Sequence, residues 1–133
     1  MTANPMPRVA PYLLYEDVAG ALCWLGTAFE FRERMRVAKD GKVLHAEMDV
    51  ADDGVILLGC PGPEYRNPRK LGAITQNLYV SVDDVDAHCA RARSAGAAII
   101  EEPANQAYGD RRYGAEDPEG HRWYFAQAIG KGG

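Results

Sequence analysis

Residues 12–22, YLLYEDVAGAL, and residues 79–89, YVSVDDVDAHC, align at one constant offset of 67, pairing Tyr12 with Tyr79, Asp17 with Asp84 and Val18 with Val85. That offset is half of a 133-residue chain, so the sequence reads as one unit written twice. In each copy a short alternating apolar run ends in an acidic pair. The second acid stands where a helix begins and its carboxylate can accept hydrogen bonds from the free backbone N–H groups of the first turn. Each copy therefore reads strand, cap, helix.

The first copy continues with Val18, Ala21, Leu22, Leu25, Ala28 and Phe29 at helical spacing, an apolar stripe that should lie on a sheet. Gly20 and Gly26 weaken this helix by about 1 kcal/mol each relative to alanine, so packing must supply the balance. FRERMRV and KVLHAEMDV then alternate around KDGK, where Asp-Gly between two alternating runs signals a tight hairpin. GVILLGC adds a third strand and completes β-α-β-β-β. The stretch PGPEYRNPRKLG has prolines that each remove a ladder donor, and it reads as a linker. Beyond it, ITQNLYVSV is a strand, DDVDAHCARARSAG a helix ending on Gly96, and AAIIEEP, YGDRRYGAED and GHRWYFAQA three further strands. The expectation is an α+β fold of two tandem βαβββ modules within one domain: module one over about 8–60, a linker at 61–73 and module two over about 74–129.

Fifteen Lys+Arg against nineteen Asp+Glu give a net charge of -4, which argues against nucleic acid as a partner, since phosphate binding needs a basic stripe. No apolar run approaches the roughly 18 residues of a spanning helix, and MTANPMPRVAP lacks the basic-then-apolar order of a secretory signal. Cys23, Cys60 and Cys89 form no CxxC and read as small buried hydrophobes. A cytoplasmic protein with no membrane partner is expected.

The element order, together with YEDVAGALCWLGTAFEF and the turn-and-strand motif DPEGHRWYF, resembles the vicinal oxygen chelate superfamily, also called the glyoxalase/bleomycin resistance/dioxygenase family. The resemblance covers about residues 8–129. It implies a curved mixed sheet around a concave pocket, with helices on the outer face. In metal-using members, the first and last strand of each module carry a ligand. Here those positions fall on Ala10, Asn77, Tyr124 and Leu58, or Leu57 if the register slips by one. A divalent ion needs several imidazole nitrogens or carboxylate oxygens, and this set offers none, so no metal and no cofactor are expected.

If Tyr124 points inward, the period of two turns Arg122 and Ala126 inward with it and sends His121, Trp123 and Phe125 toward the helices. Asn77, Tyr79 and Ser81 share the concave face of their strand, as do Ala10, Tyr12 and Leu14 on theirs. Tyrosines there suit a partly planar organic ligand, although strand tyrosines are as often packing. Arg122 either meets an inward carboxylate or an anionic group on the ligand. His45 and Glu47 share one face of their strand, which lines the concavity or meets solvent; as a neighbouring pair they are a weak signal for acid–base chemistry. His88 reads as a surface residue and Trp24 as a core or interface aromatic. In NQAYGDRRYGAED, Tyr108 and Tyr113 either cover a ligand or belong to a solvent-facing hairpin whose arginines pair with acids.

The ligand-binding candidates are thus Tyr12, His45, Glu47, Asn77, Tyr79, Tyr113, Arg122 and Tyr124, with no catalytic or metal residue assigned. The resemblance implies a small-molecule partner, a homodimer, and the binding and sequestration of an aromatic or peptidic natural product of the bleomycin-resistance type. The alternative is a glyoxalase-fold enzyme: an isomerase, lyase or dioxygenase, metal-free or with a non-standard metal site.

Overall fold

The computed structural model describes residues 3–130. The chain divides into two compact units between Asn67 and Pro68, a few residues inside the predicted linker.

In unit 1, β1 (Tyr12–Leu14) leads into α1 (Val18–Phe29), followed by β2 (Arg32–Lys39), β3 (Lys42–Val50) and β4 (Gly54–Gly59). The sheet order is β1-β4-β3-β2, with β1 parallel to β4 and the other pairs antiparallel. Asp17 caps α1 by accepting the Gly20 N–H at 2.9 Å. The predicted stripe Val18, Ala21, Leu22, Leu25, Ala28 and Phe29 is wholly buried, and the sheet meets it with Leu13, Ala46, Met48 and Leu58. Asp40 and Gly41 turn the β2–β3 hairpin with φ of 54 and 78, the doubly left-handed geometry that the strand twist favours and that Asp-Gly tolerates best.

Unit 2 begins with a four-residue helix, α2 (Pro68–Leu71), inside a stretch expected to be bare linker. The remainder is β5 (Leu78–Ser81), α3 (Val85–Ser94), β6 (Ala98–Asn105), β7 (Asp110–Glu116) and β8 (Arg122–Ala128), in sheet order β5-β8-β7-β6. Asp84 caps α3 by accepting the Ala87 N–H at 3.1 Å, so the repeated acid plays one role in both units. Val85, Cys89 and Ala92 of α3 are buried, as are Leu78, Tyr113, Ala115, Trp123 and Phe125 of the sheet.

Each unit is thus an α+β layer pair: a four-stranded mixed sheet with a helix on one face, and neither sheet closes into a barrel. Two expectations need correction. Cys23 is exposed on α1 and Cys60 half-buried, leaving only Cys89 as a buried hydrophobe. His88 is not a plain surface residue: its ring lies 4.1 Å from that of Phe125 and its Nδ1 is 2.5 Å from the Tyr113 hydroxyl. Trp24 is half-buried, edge-on to Phe29 at 5.0 Å. Among the described residues no helix is long and apolar enough to cross a membrane.

Candidate functional site

With helices on one side of each sheet, the chemistry-bearing side chains collect on the other. In unit 1, β1 and β4 place Tyr12 level with Leu57, while β4 and β3 place Leu57 level with Glu47 and Gly59 with His45. Paired residues point the same way, so Tyr12, Leu57, Gly59, His45 and Glu47 share the helix-free face. His45 and Glu47 therefore stand beside Tyr12 and form contacts there. The Tyr12 hydroxyl is 2.9 Å from His45 Nδ1, and His45 Nε2 is 3.8 Å from Glu47 Oε2. A register shift in β2 between Glu33 and Met35 leaves Arg34 as the extra residue. Its guanidinium reaches Glu47 Oε1 at 3.3 Å and Asp49 Oδ1 at 3.1 Å. Asp49, which is buried, also accepts the Asn4 backbone N–H at 3.2 Å. The result is a continuous polar row from Tyr12 to Asp49.

The Tyr12 ring lies on Gly59, where an added Cβ would come within 2.7 Å of the ring and of the hydroxyl. Gly59 is therefore what lets the phenol lie down toward His45. Tyr12 remains 51% exposed, so it is presented rather than packed away.

In unit 2, Tyr79 is level with Tyr124, and Tyr124 with Gly114; Arg112 is level with Ala126 and Glu116 with Arg122. The helix-free face thus carries Tyr79, Tyr124, Arg112, Arg122, Glu116 and Asp110. Donor and acceptor chemistry gives the hydrogen bonds a direction. Arg112 donates to Tyr108 (3.0 Å), Tyr108 to Tyr79 (3.1 Å), and Tyr79 to the Asp110 carboxylate (2.6 Å). Loss of hydration at its hydroxyl, and then the bonds to Asp110 and Tyr108, hold the Tyr79 phenol above its ordinary value. Glu101 grips Arg112 at 2.8 and 3.3 Å, and the guanidinium carbon stands 5.3 Å from the centre of the Tyr124 ring. Tyr124 in turn lies over Gly114, where a Cβ would approach its ring to 2.7 Å.

Of the eight candidates, Tyr12, His45 and Glu47 come together in unit 1, and Tyr79, Arg122 and Tyr124 share the face in unit 2. Arg122 meets Glu116 at 3.4 Å, the inward carboxylate that was one of its two expected partners. Asn77 is exposed and precedes β5 by one residue. Tyr113 does not reach this face. It is 0% exposed and level with Phe125 on the helix side, stacked on that ring at 5.3 Å. It is a core residue, because Gly114, and not Tyr113, has the parity of Tyr124. The alternation of β3 puts Asp49 on the face of His45 and Glu47, whereas Arg34, Glu101 and Asp110, which sequence reasoning missed, depend on bulges or on cross-strand pairing that periodicity does not show.

The ladders also place the four positions that the family resemblance marks for metal ligands. Leu57, not Leu58, is the counterpart of Tyr124, since each is level with the repeated tyrosine of the neighbouring strand. Leu58 is 0% exposed in the core. Ala10, Leu57, Asn77 and Tyr124 supply a methyl, an isobutyl, a carboxamide and a phenol, a set that does not fit a divalent ion. Among the described residues no group of three or more His, Cys, Asp or Glu side chains is arranged to hold one.

Comparison with known proteins assigns the class. The family model described as Glyoxalase/Bleomycin resistance protein/Dioxygenase superfamily matches residues 8–125, and the chain belongs to that superfamily. Among individual proteins, it is similar to the uncharacterized protein Rv0887c of Mycobacterium tuberculosis, 33% identical over 97% of this chain and 79% of that one. Among solved structures, TioX from Micromonospora sp. ML1 superposes with a TM-score of 0.77 at 31% identity, covering 92% of this chain and 99% of TioX. A superfamily member from Sphaerobacter thermophilus shares the fold, with a TM-score of 0.72 at 15% identity over 92% of this chain and 98% of that one.

Proposed function

We propose that the protein is a non-catalytic binding protein of bleomycin-resistance type: a homodimer that sequesters a small, flat aromatic or peptide-derived natural product. The observation that carries this reading is the phenol cluster of unit 2. Tyr79 and Tyr108 are 50% and 49% exposed, yet their hydroxyls are fixed between Arg112 and Asp110. Exposed rings held by hydrogen bonds offer flat contact area at little entropic cost, which is what capture of a planar ligand requires. Arg112 stacked toward Tyr124 extends the same platform. The lack of imidazole and carboxylate groups at the superfamily's metal positions is consistent with affinity alone.

A thermal-shift and calorimetric screen tests this, with bleomycin and flat peptide antibiotics in one arm and Mg²⁺, Mn²⁺, Ni²⁺ and Zn²⁺ in the other. An antibiotic at a hundredfold over its Kd should stabilise the protein by about 2.7 kcal/mol, and the ions should not. Tyr79→Ala should weaken binding about tenfold, matching the ~1.4 kcal/mol of one aromatic contact. Light scattering should report a dimer. Stabilisation by a metal alone, with chelator-sensitive turnover of a substrate, sinks the reading.

The second reading, a metal-free enzyme of the same fold, is favoured by one observation: His45 between Tyr12 and Glu47 has the connectivity of an acid–base pair. Recovery of the ligand chemically unchanged after prolonged incubation separates binder from enzyme.

A further inference from the structure

We infer that the loop PGPEY, residues 61–65, is a small-molecule site of its own that takes a quaternary ammonium ion, a cation whose charge is wrapped in methyl groups. The loop lies wholly in unit 1 and shares no residue with the phenol cluster, so the inference goes beyond sequestration by that cluster and does not depend on it.

The loop is held at several points by the protein itself. The Cys60 N–H donates to the Leu44 carbonyl at 3.0 Å and the Asn67 N–H to a Glu16 carboxylate oxygen at 3.0 Å, which fastens both ends. Between them the Tyr65 N–H donates to the Gly62 carbonyl at 3.2 Å and closes a turn, and the Tyr65 hydroxyl donates to the Leu14 carbonyl at 2.9 Å. Pro61 and Pro63 restrict their own φ, and Gly62 between them takes a φ of 135 that a side chain would resist. The loop curls around a cavity of about 410 Å³ lined by Pro61, Gly62, Pro63, Glu64 and Tyr65. Small-molecule sites span about 300–1,000 Å³, and a concavity fixed in advance saves the ordering cost that binding otherwise carries.

The lining selects the chemistry of the ligand. Glu64 is its one charged residue, and among the described residues the Glu64 carboxylate has no hydrogen-bond or ion-pair partner. Arg66, the next cation along the chain, does not line the cavity, and the Glu16 carboxylate is engaged by Asn67. An anion in the cavity would meet only like charge. A primary ammonium brings three N–H donors that each need an acceptor, and the side chains of the lining offer acceptors only at Glu64 and at the Tyr65 oxygen. A quaternary ammonium asks for none. Its methyl groups can rest on pyrrolidine and aromatic carbon while its charge faces the carboxylate, which is the combination that favours such cations over neutral molecules of the same shape.

The probe is choline, with neohexyl alcohol as its neutral carbon isostere and ethanolamine as its primary-ammonium counterpart. In amide NMR spectra of the full chain, millimolar choline should shift the Gly62, Glu64 and Tyr65 signals saturably, and sodium chloride at the same ionic strength should not. Both comparison compounds should bind about tenfold more weakly than choline. Glu64→Gln, which keeps the shape and removes the charge, should weaken choline binding about tenfold while the rest of the spectrum stays native. No shift at the loop amides, equal binding of either comparison compound, or full choline affinity in Glu64→Gln overturns the inference. Shifts at Tyr79 and Tyr124 in place of the loop overturn it as well, since they put choline on the phenol platform. The sequestration reading fails on a separate readout, the antibiotic-induced thermal shift of the unaltered protein, so the two failures are distinguishable.

Discussion

Asp117 shows how much one side chain can organise. It is 1% exposed, and its carboxylate accepts the Glu119 and His121 backbone N–H groups at 3.1 and 3.0 Å and the Trp123 indole N–H at 3.1 Å. One carboxylate thus ties the turn of DPEGHRWYF, which backbone bonds from Asp117 to His121 and from Gly120 to Asp117 also hold, to its first core aromatic. Hydrogen bonds to a buried charge contribute about 1.5–3 kcal/mol, and Asp117→Ala would leave a buried indole N–H unpaired. We predict a loss of about 2–3 kcal/mol, read as a lower urea midpoint at unchanged m. Asp117→Asn should recover part of it, since its carbonyl oxygen still accepts from the turn but its NH₂ faces the indole donor. A midpoint unmoved by Asp117→Ala would rule out this role.

Among elements, the two sheets use one device: a glycine on a strand beneath a tyrosine of its neighbour, Gly59 under Tyr12 and Gly114 under Tyr124. A methyl at Gly114 would come within 2.7 Å of the Tyr124 ring and 3.1 Å of Ile100, both side-chain atoms that can shift. Strand alanine recovers about 0.5–1 kcal/mol of backbone entropy, which offsets part of the overpacking. Gly114→Ala should therefore change stability by no more than about 1 kcal/mol, yet tilt Tyr124 out of the platform under Arg112 and weaken antibiotic binding about tenfold. Denaturation and calorimetry on the same sample check both halves. Full affinity in this variant would show that the lie of the Tyr124 ring is immaterial.

For the whole molecule, the tyrosines give stability a pH dependence. Burial pushes the Tyr113 phenol well above its ordinary value, and loss of hydration at the hydroxyl, with the Asp110 contact, does the same for Tyr79, whose ring stays half exposed. A raised folded pKa means that the native state holds those protons more tightly than the unfolded chain. Their contribution is complete below the unfolded pKa of about 10 and is lost as pH rises from there toward the folded values. Urea midpoints should be flat on this account up to about pH 9 and fall beyond about pH 10. Tyr113→Phe lacks one of these protons, so its curve should fall less steeply whatever its starting stability. Parallel curves would show that Tyr113 does not supply the linkage.

The sequence by itself determined the duplication, the acidic caps at Asp17 and Asp84, the buried stripe of α1 and the Asp40-Gly41 hairpin. Each of these is written in residues close together in the chain, where helical or strand period and backbone preference act. It also determined that Trp123 and Phe125 turn from Tyr124, because alternation within one strand is strict. Only the tertiary structure decided how one strand's parity matches the next, which is why Leu57 replaced Leu58 and why Tyr113 went to the core while Gly114 took its place under Tyr124. It alone brought Arg34 to Glu47 through a bulge, and Tyr12 to His45 across β4. Register and bulges depend on pairing between segments far apart in the chain, and a one-residue slip exchanges the faces of an entire strand.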